Sequence, residues 1–141
     1  MPGILQQQLA LTAEFQAMAD WEARYAAIIA RAKRLAPMPD ELKTDERKVR
    51  GCSSSVWLHA ELRDGGLHFL ADSDAVLVRG LVALLLEVYS GRTPREILAA
   101  PPAFIEELGL AQHLSPNRAN GLTAMVGAIM ARARAAQAAA P

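Results

Sequence analysis

The stretch Val56-Trp57-Leu58-His59-Ala60-Glu61-Leu62-Arg63-Asp64-Gly65-Gly66-Leu67-His68-Phe69-Leu70-Ala71 decides the fold class. Val56, Leu58, Ala60 and Leu62 alternate with Trp57, His59, Glu61 and Arg63, the two-residue period of a half-buried strand. Asp64, Gly65 and Gly66 then turn the chain, with the two glycines supplying positive φ, and Leu67 to Ala71 returns as the second strand of a β-hairpin. A two-stranded hairpin is marginal alone. It must pack on helices or pair with a third strand near Lys48 to Arg50.

The helices lie on both sides of it. Ile4 to Met18 carries Leu5, Leu9, Leu11, Phe15 and Met18 at helical spacing, and Asp20 reads as the cap of a second helix from Trp21 to about Leu35 that Pro37 and Pro39 end. Asp40 to Arg50 is a charged, solvent-facing connection. After the hairpin, Asp72, Ser73 and Asp74 offer caps for a helix from Ala75 to Tyr89, so apolar around its whole circumference that it must be central, with Gly91 as its stop. Thr93, Pro94 and Glu96 open a short helix ending by Ala100, and a further turn covers about Ala103 to Leu108. Ser115 and Pro116 open the last helix, to about Gln137, before an Ala-rich tail expected to fray. Helices, a hairpin, then helices, with no linker and no repeat, predict one α+β domain over 1–141.

Composition narrows the function. Lys and Arg number 15 against 15 Asp and Glu, so no global field draws in nucleic acid, and no basic run is interleaved with aromatics. The 52% hydrophobic content is inflated by alanine, and the 13 uncharged residues between Arg118 and Arg132 fall short of the roughly 18 that a bilayer span needs. No basic, apolar and small-residue signal pattern opens the chain, so the expected location is the cytoplasm, where a lone thiol stays reduced. One cysteine cannot form an intrachain disulfide, and with three scattered histidines it offers no ligand spacing for a metal.

That cysteine lies in Lys48-Val49-Arg50-Gly51-Cys52-Ser53-Ser54-Ser55-Val56-Trp57, a small-residue loop running into the first strand. Arg47, Lys48 and Arg50 would favour its thiolate, Gly51 permits close approach by another protein, and Ser53, Ser54 and Ser55 offer hydroxyl donors to a sulfur anion. A free cysteine is also one of the most buried residue types, and strand alternation carried backwards puts Cys52 on the core side with Val56. Spacing alone leaves both readings open. His59 and His68 read as surface or cross-strand residues, Asp72 and Asp74 as caps, and Trp21, Tyr25 and Trp57 as core. His113 is a candidate loop support. Arg118 is a cation in the first turn of a helix, where the macrodipole disfavours it, so it needs a contact to the Cys52 loop, an acidic partner, or a nearby Asp or carbonyl.

The run Gly51-Cys52-Ser53-Ser54-Ser55-Val56-Trp57-Leu58 resembles the Gly-Cys-Gln-Ser-Gln-Val-Trp signature of the SufE family of cysteine-desulfurase partners. Supporting blocks follow in the same order: Trp21-Glu22-Ala23-Arg24-Tyr25; Asp72-Ser73-Asp74-Ala75 with Arg79-Gly80-Leu81; and Gln112 to Leu122. The resemblance covers about residues 20–134. Ser53 and Ser55 replace the family's glutamines, and Ala71 stands where glycine is frequent. The resemblance implies a compact α+β fold with a small antiparallel sheet, similar to iron–sulfur scaffold proteins. It implies that Cys52 takes sulfane sulfur from the persulfide of a SufS-like or CsdA-like cysteine desulfurase, which carries the pyridoxal phosphate. The sulfur then passes to an iron–sulfur scaffold, with no cofactor on this chain. Two rivals remain: a module that activates a desulfurase by contact with Cys52 structural, and a scaffold, which one cysteine could not ligate. A persulfide also needs shelter, so the loop is expected to have two positions, with Cys52 tucked toward an apolar hollow near the last helix or turned outward to a donor.

Overall fold

The computed structural model describes residues 3–139. Within them six helices and one two-stranded antiparallel sheet follow in the order α1 (Ile4–Gln16), α2 (Trp21–Arg31), β1 (Val56–Arg63), β2 (Gly66–Ser73), α3 (Val76–Tyr89), α4 (Pro94–Leu98), α5 (Ala103–Leu108) and α6 (Pro116–Ala139). The expected α+β class is what the chain adopts. The last two residues of the Ala-rich tail lie outside the described residues.

The hairpin closes at Arg63 opposite Gly66, so its loop is the two residues Asp64 and Gly65, both at positive φ (52° and 82°). That is the loop whose twist matches paired strands. Gly66 therefore has another task than the turn conformation expected of it: a Cβ there would lie 2.8 Å from the Gly91 carbonyl oxygen. Gly91, at φ 84°, ends α3 and donates its N–H to Leu67, while Arg92 accepts from Leu67. The end of α3 is thereby tied to β2. The third strand is reduced to one bridge, Lys48 opposite Trp57, with Val49 donating to Val56.

Val56, Leu58, Leu67, Phe69 and Ala71 form the buried face of the hairpin, but Leu62 is 48% exposed because the tip overruns the helices. α3 is the centre of the molecule. Leu81, Leu84, Leu85, Val88 and Tyr89 are buried to within 1% of completely, each contributing about 2 kcal/mol of burial. α2 crosses α3 at Gly80, where a Cβ would lie 2.0 Å from the Ile28 carbonyl oxygen. Only glycine lets the helices meet there. Beside this crossing buried Arg31 takes both carboxylate oxygens of Glu14 at 2.7 and 2.8 Å and one of Glu87 at 3.0 Å, joining α1, α2 and α3. The hydrogen bond from Arg31 holds the Glu14 carboxyl below the ordinary carboxylate range.

Three expectations are corrected. Leu5 and Leu9 are exposed, at 69% and 54%, so the buried stripe of α1 is Ile4, Gln8, Leu11, Thr12 and Phe15. Asp72, Ser73 and Asp74 do not cap α3, whose N-cap is Ala75 with no side-chain bond. β2 runs on through Ser73 and takes up the first two: Asp72 pairs with Lys43 at 2.9 Å and Arg79 at 3.1 Å, the Ser73 hydroxyl accepts only the N–H of Ala75 ahead of the helix at 3.2 Å, and Asp74 turns to the cysteine loop. Trp57 is half-buried on the outer face of the hairpin under Lys43. The cap, proline and acid of α4, and the Ser115 cap of α6, form as the sequence indicates.

Candidate functional site

Cys52 lies in a six-residue loop, Arg50 to Ser55, closed at its base by the hydrogen bond from Val49 to Val56 (2.8 Å). A second tie follows. The Ser55 N–H donates to Asp74 Oδ1 at 3.1 Å, and the Asp74 N–H donates back to the Ser55 carbonyl at 3.3 Å. The exit of the loop is thus fastened to the end of the hairpin, while Gly51 to Ser54 lean on α6. Gly51 is at φ 95°, and a Cβ on it would come within 3.2 Å of the Ala124 Cβ. The close approach that glycine permits is to the protein's own last helix.

The thiol is half-buried against the same helix. Its Sγ donates to the Gly121 carbonyl at 3.6 Å, its one hydrogen-bond partner among the described residues. No serine hydroxyl reaches it. Cys52, Ser53, Ser54, Val78, Asn117, Arg118, Gly121 and Met125 enclose a cavity of about 10 Å³, about the size that admits one water. Val78 and Met125 make one wall apolar, while Asn117, Arg118 and the serines make the other polar. The tucked position expected of the cysteine is the one seen, in a hollow that is only half apolar.

The electrostatics differ from the sequence expectation. Burial pushes the Cys52 thiol up from its ordinary value. Arg47, Lys48 and Arg50 do not lower it in this position. Arg47 gives Nε to His59 Nδ1 at 3.2 Å and a second nitrogen to Thr44, Lys48 pairs with Asp45 at 3.6 Å, and Arg50 is exposed. A buried acceptor carbonyl and displaced cations both favour the neutral thiol. The resting cysteine is therefore a weak nucleophile.

His113 does not line the Cys52 cavity. It stacks on Trp21 with centroids 3.8 Å apart, binds the Gly109 carbonyl through Nδ1 at 2.9 Å, and accepts through its own carbonyl from the Tyr25 hydroxyl. It is a brace joining the start of α2 to the approach of α6. Arg118 is exposed and forms no ion pair among the described residues, and it lines two hollows at once: that of Cys52 and an open one of about 360 Å³ shared with Tyr25, Ile29, Leu77 and His113. Spacing does not single out Gly121, Asn117 or Val78, places Met125 only on the inner face of the last helix, and reads Asp74 only as a cap. Their contacts with the loop cross 19 to 73 residues of chain. A wider hollow between α5 and α6, about 450 Å³, is lined by Pro101, Ile105, Leu122, Thr123 and Val126 and does not include Cys52. No group of three or more His, Cys, Asp or Glu among the described residues is placed to hold a metal, and no helix there is long and apolar enough to cross a membrane.

The comparisons with known proteins agree on these segments. Residues 9–133 match the SufE family, described as an Fe-S metabolism associated domain. The chain is 47% identical over 107 residues to an uncharacterized SufE-like protein of Synechocystis, covering 76% of this chain and 67% of that one. It is 40% identical over 119 residues to the sulfur acceptor protein CsdE of Escherichia coli, covering 83% and 81%. A solution structure of a hypothetical protein from Thermus thermophilus has the same fold, with TM-score 0.79 at 24% identity over 94% of this chain and 97% of that one. The match takes in the second half of α1, which the motif blocks alone did not reach, and spans the hairpin, the Cys52 loop and most of α6. This chain belongs to the SufE family.

Proposed function

We propose that Cys52 is a sulfur acceptor that is loaded by a cysteine desulfurase of the SufS or CsdA kind and unloaded to an iron–sulfur scaffold. The observation that carries this reading is the lone thiol held at a loop apex over a cavity with room for about one more atom. The name of the Escherichia coli relative, sulfur acceptor protein, supports it.

The chemistry is thiol–persulfide exchange. The Cys52 thiolate attacks the outer sulfur of the donor's persulfide. The new S–S bond forms on Cys52, the donor's own S–S bond breaks, and its electron pair leaves on the donor cysteine as thiolate. That thiolate, or solvent, takes the proton that Cys52 gave up. Nothing is oxidised or reduced overall, and the chain needs no cofactor of its own; the pyridoxal phosphate belongs to the donor. Delivery is the same exchange onward to an acceptor thiolate, in a reducing compartment such as the cytoplasm.

The raised thiol pKa sets the order of events. In the tucked position Cys52 is protonated and shielded, so the donor must draw the loop outward before attack. The weak fastening makes this inexpensive: one 3.6 Å bond to sulfur and a Gly-Cys-Ser-Ser run with little side-chain bulk. Arg50 and Arg118, both exposed, then stand beside an outward sulfur and favour its anion.

The half-buried thiol also favours a second reading, in which Cys52 is a packing residue and the domain stimulates a desulfurase by contact alone. One experiment separates them. After incubation with a desulfurase and cysteine, the intact protein gains the mass of sulfur and Cys52→Ser does not. Full stimulation of the desulfurase by Cys52→Ser, with no sulfur on the wild type, establishes the contact reading instead.

A further inference from the structure

A glycine inside a helix needs a reason, since alanine is the better helix former. At Gly80 the reason is a collision: a Cβ there would lie 2.0 Å from a carbonyl oxygen. Gly121, buried in the second turn of α6, is different. A Cβ on it would lie 3.5 Å from Cys52 Sγ and 3.9 Å from the Cys52 Cα and Cβ, which is ordinary contact. The resting protein therefore has room for alanine at this position. What it would not keep is the space beside the thiol. Asn117, Gly121 and Met125 follow one another at four-residue spacing on one face of α6, and all three line the Cys52 cavity of about 10 Å³. A second sulfur bonded to Sγ stands about 2.0 Å from it, so on the side facing Gly121 it would overlap a Cβ placed 3.5 Å from Sγ. Another wall can give. Met125, an unbranched and flexible side chain, also borders a second cavity of about 10 Å³ under the hairpin, lined by Val49, Val56, Leu85 and Ile129 among others.

We propose that Gly121 is the specificity-determining residue of the Cys52 cavity, leaving it room for one added sulfur atom and for nothing larger. This rests on the acceptor reading above and adds a size limit on what the tucked cysteine can carry. The tucked position then accepts two states of Cys52, the thiol and the persulfide. A disulfide with a small thiol such as glutathione brings a carbon beyond the second sulfur, and it meets closed walls: Val78 and Met125, 6% and 4% exposed, and the backbone of α6. Such an adduct holds the loop outward. There the next small thiol reaches it and attacks the adduct's sulfur, leaving Cys52 as the thiol and the two small thiols as their disulfide. The polar half of the cavity fits the same occupant. Ser53, Ser54 and Asn117 give the resting thiol no hydrogen bond, its one partner among the described residues being the Gly121 carbonyl. A persulfide is more acidic than a thiol, so its outer sulfur is an anion, and these uncharged donors are what it would face.

The test reads the persulfide apart from any desulfurase. Cys52 is activated as its mixed disulfide with thionitrobenzoate and treated with sulfide, which attacks Cys52 Sγ, forms the new S–S bond and expels thionitrobenzoate as thiolate. Loss of the added sulfur to dithiothreitol is then followed by intact mass. The wild type is expected to lose it at least about tenfold more slowly than an unstructured Gly-Cys-Ser peptide persulfide, while the glutathione disulfide of Cys52 is reduced within about threefold of the peptide's rate. Gly121→Ala is expected to lose sulfur about fivefold or more faster than the wild type, with iodoacetamide labelling of its unloaded thiol changed by less than about twofold. Gly127→Ala is the control on the same helix: Gly127 is exposed, nothing lies within 4 Å of where its Cβ would be, and wild-type behaviour is expected in both measurements. Circular dichroism confirms that both variants keep the fold. Wild-type retention of sulfur in Gly121→Ala, an equal loss in Gly127→Ala, or a glutathione disulfide as protected as the persulfide overturns the proposal. If the chemically loaded proteins behave as expected but a desulfurase with cysteine never adds sulfur to Cys52, the size limit stands and the acceptor reading falls. If the desulfurase loads the wild type and Gly121→Ala keeps its sulfur as long, the reverse holds.

Discussion

At Gly80 and at Cys52 a small residue lets one segment press against a helix, yet the two contacts are built differently. At the α2–α3 crossing a backbone carbonyl stands where a Cβ would go, the neighbours are fully buried side chains, and three helices are pinned together by Arg31. At the α6 contact, Gly51 faces a methyl group 3.2 Å from where its Cβ would be, the thiol donates one long bond, and the loop carries serines where a core would carry leucines. The first contact has no second arrangement close in energy. The second is weak enough for a partner to exchange it for another. The sulfur exchange proposed above would use this contrast: a rigid body against which a single loop can move.

The contrast can be broken first at its rigid end. Gly80→Ala forces a methyl group into the Ile28 carbonyl, and the expected loss is about 3 kcal/mol or more of unfolding free energy, read as a lower denaturation midpoint. Gly51→Ala at φ 95° meets backbone strain and the Ala124 Cβ at 3.2 Å, a tight contact but no overlap with a carbonyl, so about 1 to 2 kcal/mol is expected. Equal losses would mean that the two contacts are alike.

Acid is the next probe, since it acts on the rigid half through Arg31. Glu14 is held low chiefly by the Arg31 hydrogen bond. For Asp72 burial is the largest influence and would raise it, but Lys43, the Ser73 N–H and Arg79 together hold it low. A lowered folded pKa adds stability that is fully present above about pH 5 and is lost as pH falls through the folded value, below about pH 4. Stability is expected to fall over that window, less steeply in Glu14→Gln, as followed by urea midpoints. An unchanged slope in that variant would remove Glu14 from the account.

Smaller effects belong to the loop. Asp74→Ala deletes the acceptor for the Ser55 N–H, at a cost of about 1 kcal/mol or less on a partly exposed site. Its stronger signature is local, a several-fold faster alkylation of Cys52. The smallest effect is expected from Arg47, Lys48 and Arg50 changed together to Gln. The alkylation pH profile of the free protein stays where it was, because burial rather than charge sets the resting thiol. A shift of that profile to higher pH would restore the cations to the role their sequence positions suggest.

How much of this was legible in the sequence follows from how local each contact is. The two strands of the hairpin, the Thr93 and Ser115 caps and the all-round apolar α3 are set within a few residues and formed as the pattern indicates, whereas the turn takes its positive φ at Asp64 and Gly65 rather than at the two glycines. The Asp72-Ser73-Asp74 run failed as a cap because β2 extended through it, a choice made by pairing with Val56 and Trp57. Leu5 and Leu9 were misplaced because periodicity cannot say how wide a stripe the neighbours will cover. The motif singles out Cys52, which the fold holds against α6, but the charge environment of the thiol differs from the one its sequence neighbours suggest. Arg47 and Lys48 are close to Cys52 in sequence but turn to His59 and Asp45, whereas the helix that buries the thiol meets it at Gly121, 69 residues away.

The central claim is that the fold shelters this thiol and a partner exposes it. The direct measurement is the rate at which iodoacetamide labels Cys52, alone and in complex with a desulfurase whose own reactive cysteine has been replaced. The account predicts slow labelling of the free protein and faster labelling in the complex. Labelling of the free protein as fast as that of an unstructured Gly-Cys-Ser peptide, with no change on adding the partner, would contradict it.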